Sequence, residues 1–123
     1  MLNLSVLPIS LAVARLSVDQ SIPRWAIQST FFSITKTHDE LSIVCSEDQV
    51  PHSVKAERGW TGLKVEGPLD FGLTGILSSL ANPLAEAKIS IFSISTYDTD
   101  YILVKTQNLQ EAIKILSTFC NIQ

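Results

Sequence analysis

Laid on itself at an offset of 60 residues, the chain matches without a gap. Phe32-Ser33-Ile34-Thr35 falls on Phe92-Ser93-Ile94-Ser95, and Glu40-Leu41-Ser42-Ile43-Val44 falls on Asp100-Tyr101-Ile102-Leu103-Val104. Each copy is an apolar segment, a short polar turn, and an acidic residue opening a second apolar segment, which is the pattern of an antiparallel hairpin. A duplication at this spacing restricts the fold to two related units, each built around one hairpin. With 123 residues, 46% of them hydrophobic, the chain has the size of one compact domain or of two small units sharing a core.

The elements around the second hairpin follow from periodicity. Leu63 and Val65 alternate with Lys64 and Glu66 as in a half-buried strand, which Gly67-Pro68 breaks. Leu73, Ile76, Leu77, Leu80, Leu84 and Ala87 then recur at helical spacing, with Asp70 the expected N-cap and Pro83 expected to kink or tighten the last turn. Asn108-Leu109-Gln110-Glu111 fits a capping box, and Leu109, Ala112, Ile113, Leu116 and Cys120 form one apolar stripe. This order lacks one strand of the ferredoxin-like βαββαβ set, an α+β fold with helices on one face of an antiparallel sheet. Asn121-Ile122-Gln123 is too short to supply it, so the alternating Leu2-Asn3-Leu4-Ser5-Val6-Leu7 is expected to complete the second unit and interlock the two.

The expected division is 1–59 for the first, reduced unit and 60–123 for the second, with residues 1–8 pairing with the second. In the first unit a strand is expected near residues 11–16, a helical turn near 22–27, the hairpin over 30–46 and a short turn near 47–52. Helices this truncated leave apolar surface in want of a partner, which points to shared packing between the halves or a homodimer.

Several function classes are set aside. A net charge of −3 with nine basic residues in no long run gives no footprint for nucleic acid. Mean hydropathy is +0.26, yet no uncharged run reaches the ~18 residues a membrane helix needs, so a soluble, non-membrane protein is expected. The apolar opening lacks an early basic region and is interrupted by Asn3 and Pro8, and is read as strand rather than export signal. Cys45 and Cys120 are far apart with no Cys-x-x-Cys or neighbouring His, as for buried thiols in a reducing cytoplasm. No metal and no cofactor are expected: Asp98-Thr99-Asp100 lacks the further oxygen ligands, Gly and closing Glu of a calcium loop. His38-Asp39 sits in a turn without an accompanying nucleophile motif, so no enzyme is expected.

The run from Leu63-Lys64-Val65-Glu66-Gly67-Pro68 through Leu69-Asp70-Phe71-Gly72-Leu73-Thr74-Gly75-Ile76-Leu77 and Pro83-Leu84-Ala85-Glu86-Ala87 to Ile89-Ser90-Ile91-Phe92-Ser93-Ile94 and Tyr101-Ile102-Leu103-Val104 resembles the ACT regulatory domain. Its nearest likeness is to the small tandem ACT proteins related to the cytosolic arginine sensors. The match is strong over residues 63–117 and reaches the first half only through length and repeat. Lys88 departs from it, since the family usually has Gly between helix and strand. The resemblance implies no catalysis. It implies a regulatory domain that binds a free amino acid at the strand–helix loop, commonly across two ACT units, and acts on a separate, unidentified protein partner.

Taken alone, Gly67-Pro68 ends a strand, while Gly72 and Gly75 permit close helix–sheet packing. The resemblance turns Asp70, Phe71, Gly72, Leu73, Thr74 and Gly75 into expected ligand contacts. Glycines let backbone approach a ligand, and a helix N-terminus directs unpaired N–H groups at a carboxylate. Asp100 is the expected acceptor for an ammonium or a basic side chain, with Asp98 beside it as a turn residue bonding the local backbone. Ser93, Ser95 and Thr96 add hydroxyls on the same strand end. The rival reading is a structural or protein-interaction module with no ligand.

Overall fold

The computed structural model describes residues 2–67 and 74–123. Its elements in chain order are β1 (Leu2–Leu16), a 3-10 turn (Arg24–Ile27), β2 (Ser33–Lys36), β3 (Leu41–Ser46), a 3-10 turn (Glu47–Gln49), β4 (Ala56–Val65), α1 (Ile76–Glu86), β5 (Ile91–Ser95), β6 (Asp100–Lys105), a 3-10 turn (Thr106–Asn108), α2 (Leu109–Leu116) and β7 (Cys120–Ile122). Two compact units form, one of Met1–Pro8 with Thr61–Gln123 and one of Ile9–Trp60.

In the unit holding the C-terminus the strands neighbour in the order β1-β4-β6-β5. The start of β1 does join this unit, as expected, and lies beside β4, with the Glu66 N–H donating to the Asn3 carbonyl at 2.7 Å. The C-terminal segment was expected to be too short for a closing strand, and this is corrected: β7 follows α2, so β4-α1-β5-β6-α2-β7 is the βαββαβ set in chain order, and β7 joins the sheet through β1. Leu2, Asn3 and Leu4 pair in parallel with Cys120, Asn121 and Ile122, and the Asn121 amide donates to Asn3 Oδ1 at 3.0 Å. Leu4, Leu63, Val65, Ile102 and Val104 from the strands meet Leu80 and Leu84 of α1 and Ala112 and Leu116 of α2 in one core. The two helices present i, i+4 pairs because that spacing returns side chains to one face.

Residues 2–7 and 11–16 were expected as separate strands, yet β1 runs unbroken through Pro8. The Leu4 carbonyl and the Val6 N–H both bond Gln123, so the even-numbered residues here face β7. Pro8 is next on that side and lies past the end of the ladder. Its missing N–H therefore interrupts no pairing with β7.

Two local expectations are corrected. Asp70 is not the N-cap of α1, which starts at Ile76 behind Gly75, in the left-handed region at φ +79° and without a side-chain cap. The capping box at Asn108 does not close. There the Thr106–Asn108 turn runs into α2, and the Thr106 carbonyl accepts the Leu109 N–H. At the end of α1, Pro83 is accommodated inside the helix, and Lys88 takes φ +63°. The Lys88 N–H donates to Ala85 O and the Ile89 N–H to Leu84 O, both at 2.9 Å. That pair of bonds is the Schellman stop, which places its left-handed residue at Lys88.

The Ile9–Trp60 unit orders its strands β2-β3-β1-β4. Leu11 to Leu16 run antiparallel to Ser46 to Leu41, and the Arg15 N–H donates to Lys55 O at 3.0 Å. Single 3-10 turns stand where the other unit has helices. Ala26 of the first turn packs with Ala12, Ala14, Leu16, Leu41, Ile43, Cys45 and Val50, while Ile22, Ile27 and Phe32 stay exposed.

The hairpins repeat at an offset one residue shorter than the sequence match. Lys36 pairs with Leu41 and Ser95 with Asp100, so the equivalent turns are residues 37–40 and 96–99. Glu40, matched to Asp100 by sequence, lies in the turn, and Leu41 holds the place of Asp100. Turn closure explains the shift: the Thr37 N–H reaches Glu40 O at 2.9 Å and the Thr96 N–H reaches Thr99 O at 2.8 Å. A threonine thus opens each turn, and the turn sets the strand register.

Candidate functional site

The β5–β6 turn is built on Thr96. Its hydroxyl donates to the Thr99 carbonyl at 3.1 Å and accepts the Thr99 N–H at 3.3 Å. Asp98 is exposed at the tip, and the side chain bonding the local backbone is that of Thr96 rather than Asp98, correcting the role expected of the aspartate. Thr99 is buried, 5% exposed, and its hydroxyl donates to the carbonyl of Val65. Sequence reasoning passed over Thr99; the only signal was a β-branched hydroxyl between two carboxylates. Its bond fastens the hairpin tip beside the end of β4, two residues before Gly67 opens the strand–helix loop.

Asp100 is half-buried at the first position of β6. The Ser95 hydroxyl donates to its Oδ1 at 2.6 Å, across the last paired position of the hairpin. Its second oxygen is bonded by no described residue. Ser93, two residues earlier on the same exposed face of β5, pairs with Ile102 away from the turn. Ser95, Thr96, Asp98 and Asp100 are thus brought together at one strand end, with Ser93 at its margin.

Of the loop residues, Asp70, Phe71, Gly72 and Leu73 lie outside the described residues. Thr74 and Gly75 are exposed where α1 begins. The Gly75 carbonyl accepts the Ser79 N–H at 2.9 Å and the Ser78 hydroxyl at 3.2 Å. The N-cap Gly75 offers no side-chain acceptor, so among the described residues no cap side chain takes up the first N–H groups of α1, which lack intrahelical partners in any helix. No hydrogen bond among the described residues joins Thr74 or Gly75 to the hairpin. The same end of β4 carries Glu66, which accepts the Ser5 hydroxyl and lies 3.8 Å from Lys64 Nζ.

Among the described residues no three His, Cys, Asp or Glu side chains gather as a metal site, and no helix is long and apolar enough to cross a membrane. Burial holds both thiols above the ordinary cysteine range, helped at Cys45 by the Asp48 charge and opposed by its bond from Ser29.

A chain in which one unit reads strand, helix, hairpin, helix and closing strand, and the other repeats the strand and hairpin with 3-10 turns in place of the helices, is a tandem ferredoxin-like α+β protein. The family model described as ACT domain matches residues 55–118, and another, for an N-terminal domain, matches residues 10–53. The chain belongs to the ACT-domain family. It is 36% identical over 98 residues to the cytosolic arginine sensor for mTORC1 subunit 1 of Bos taurus, a match spanning 71% of this chain and 30% of that protein. To the putative protein CASTOR3P of Homo sapiens it is 34% identical over 101 residues, covering 72% of this chain and 62% of the other. Among solved structures, protein Atu0741 from Agobacterium tumefaciens superimposes with a TM-score of 0.94 at 40% identity, over 99% of this chain and 92% of that one. Aspartokinase α and β subunits share the fold at a TM-score of 0.66 and 12% identity, over 94% and 95% of the two chains.

Proposed function

We propose that this protein is a regulatory module, not an enzyme, that binds a free amino acid at the end of β4, between the strand–helix loop of residues 67–75 and the hairpin of residues 93–100. The observation that carries the reading is the buried Thr99 hydroxyl on the Val65 carbonyl, which fastens the hairpin tip beside the strand end from which the loop departs. A zwitterion needs donors for its carboxylate and an acceptor for its ammonium. The uncapped start of α1 offers the first, and Asp100, oriented by Ser95 and half open to solvent, offers the second. A basic side chain would suit the same carboxylate, in keeping with the relative named as an arginine sensor.

Signalling follows from linkage: a ligand that prefers one arrangement of units or chains shifts the population toward it by its differential affinity. The exposed Ile22, Ile27 and Phe32 support a homodimer or a protein partner for the reduced unit. The two reduced thiols fit a cytoplasmic protein. The test is a thermal-shift screen of the twenty amino acids. At 100 times its Kd a ligand adds about 2.7 kcal/mol, and Asp100→Asn should abolish the shift while leaving the unliganded melting temperature nearly unchanged. If no amino acid moves the transition, the reading fails and a ligand-free interaction module takes its place.

A further inference from the structure

An open hollow of about 380 Å³ lies on the other unit, lined by Val18, Lys36, Thr37 and His38. It occupies the position equivalent to the amino-acid site, where the first strand of the unit ends and the hairpin turns. The chemistry there is inverted. The last pair of the second hairpin is Ser95 with Asp100, a hydroxyl on a carboxylate; the last pair of the first is Lys36 with Leu41. The acceptor has become a buried leucine, 2% exposed, and its neighbour a lysine. His38 stands in the place of Tyr97.

Among the described residues, each polar side chain lining the hollow can donate. Lys36 is exposed and makes no ion pair with a described residue. Thr37 Oγ1 already accepts the Asp39 N–H at 3.1 Å and the Glu40 N–H at 3.2 Å, which leaves its own hydrogen to give. His38 adds a ring N–H. Beneath the turn, the Arg15 guanidinium donates to the Asp39 carbonyl at 2.9 Å. Asp19, Asp39 and Glu40 lie within two residues of lining positions in the sequence, and none lines the hollow. Donors on three lining residues, one of them cationic, with no carboxylate among them favour an anion.

We propose that this hollow is a second ligand site, taking a small oxyanion group, carboxylate or phosphoryl, held by Lys36, Thr37 and His38. It rests on residues separate from the amino-acid site and stands without it. The experiment is a proton–nitrogen NMR titration of the full chain with inorganic phosphate and, separately, with acetate, each against chloride at equal ionic strength. Saturable shifts of the Val18, Thr37 and His38 amides are expected. Lys36→Gln should weaken binding about tenfold or more, while Lys114→Gln on α2 should not. Saturation by phosphate alone assigns a phosphoryl ligand, and saturation by acetate as well admits a carboxylate. Absence of saturation with both anions, or unchanged affinity in Lys36→Gln, overturns the proposal. Asp100→Asn should leave this titration unaltered, so the two sites fail or stand separately.

Discussion

Replacing Lys88 by glycine should stabilise the protein. Lys88 is exposed and sits at φ +63°, where a Cβ crowds the backbone at a cost of about 1–2 kcal/mol. The Schellman bonds from Lys88 and Ile89 to Ala85 and Leu84 hold it there, and Leu84 and Ile89 are both buried in the core, so the chain cannot relax without opening that end of α1. Glycine removes the crowding but gives the unfolded chain more freedom, worth about 0.4–1 kcal/mol. The net gain therefore lies between about 0 and about 1.6 kcal/mol, centred on about 0.8 kcal/mol, or a rise in melting temperature of roughly 2–4 °C at the centre for a chain this size. Urea unfolding of Lys88→Gly and Lys88→Ala measures it, read as a shift of midpoint at constant slope. Alanine keeps the Cβ and loses only the charge near the helix C-terminus, so it isolates the backbone effect from the dipole effect. If glycine and alanine behave alike, or glycine destabilises, the strain assigned to Lys88 is absent.

Thr99→Val should cost about 1–3 kcal/mol, because a methyl replaces the donor and strands a buried carbonyl; Thr99→Ser should recover part of it, and equal urea midpoints for Val and wild type would show the bond to be dispensable. Both thiols are pushed up by burial, so they bind their protons more tightly folded than unfolded. Stability should be level in this respect below the ordinary thiol pKa of about 8.5 and decline as pH rises past it. Native Cys45 and Cys120 should react slowly with a disulfide reagent at pH 8 and fully in denaturant; fast native labelling would contradict their burial.

Much of the fold is legible along the chain because it rests on local alternation. The duplicated hairpins, the Leu63–Val65 strand, the apolar stripe of α2 and the N-terminal strand all follow from side-chain period. The site was less legible. Ser95, Thr96, Asp98 and Asp100 could be placed on one strand end, yet the residue that fastens this end to β4 is Thr99, whose partner is a backbone carbonyl 34 residues earlier. A carbonyl leaves no mark on the sequence.

What the sequence determined by itself was the set of elements and their duplication, since the periods of strand and helix are properties of neighbouring residues. Tertiary structure decided where those elements start and stop. It carried β1 through Pro8, moved the start of α1 to Ile76 and slid the hairpin equivalence by one residue. Each depends on which backbone groups a distant segment satisfies, and an N–H or C=O looks the same at every residue except proline.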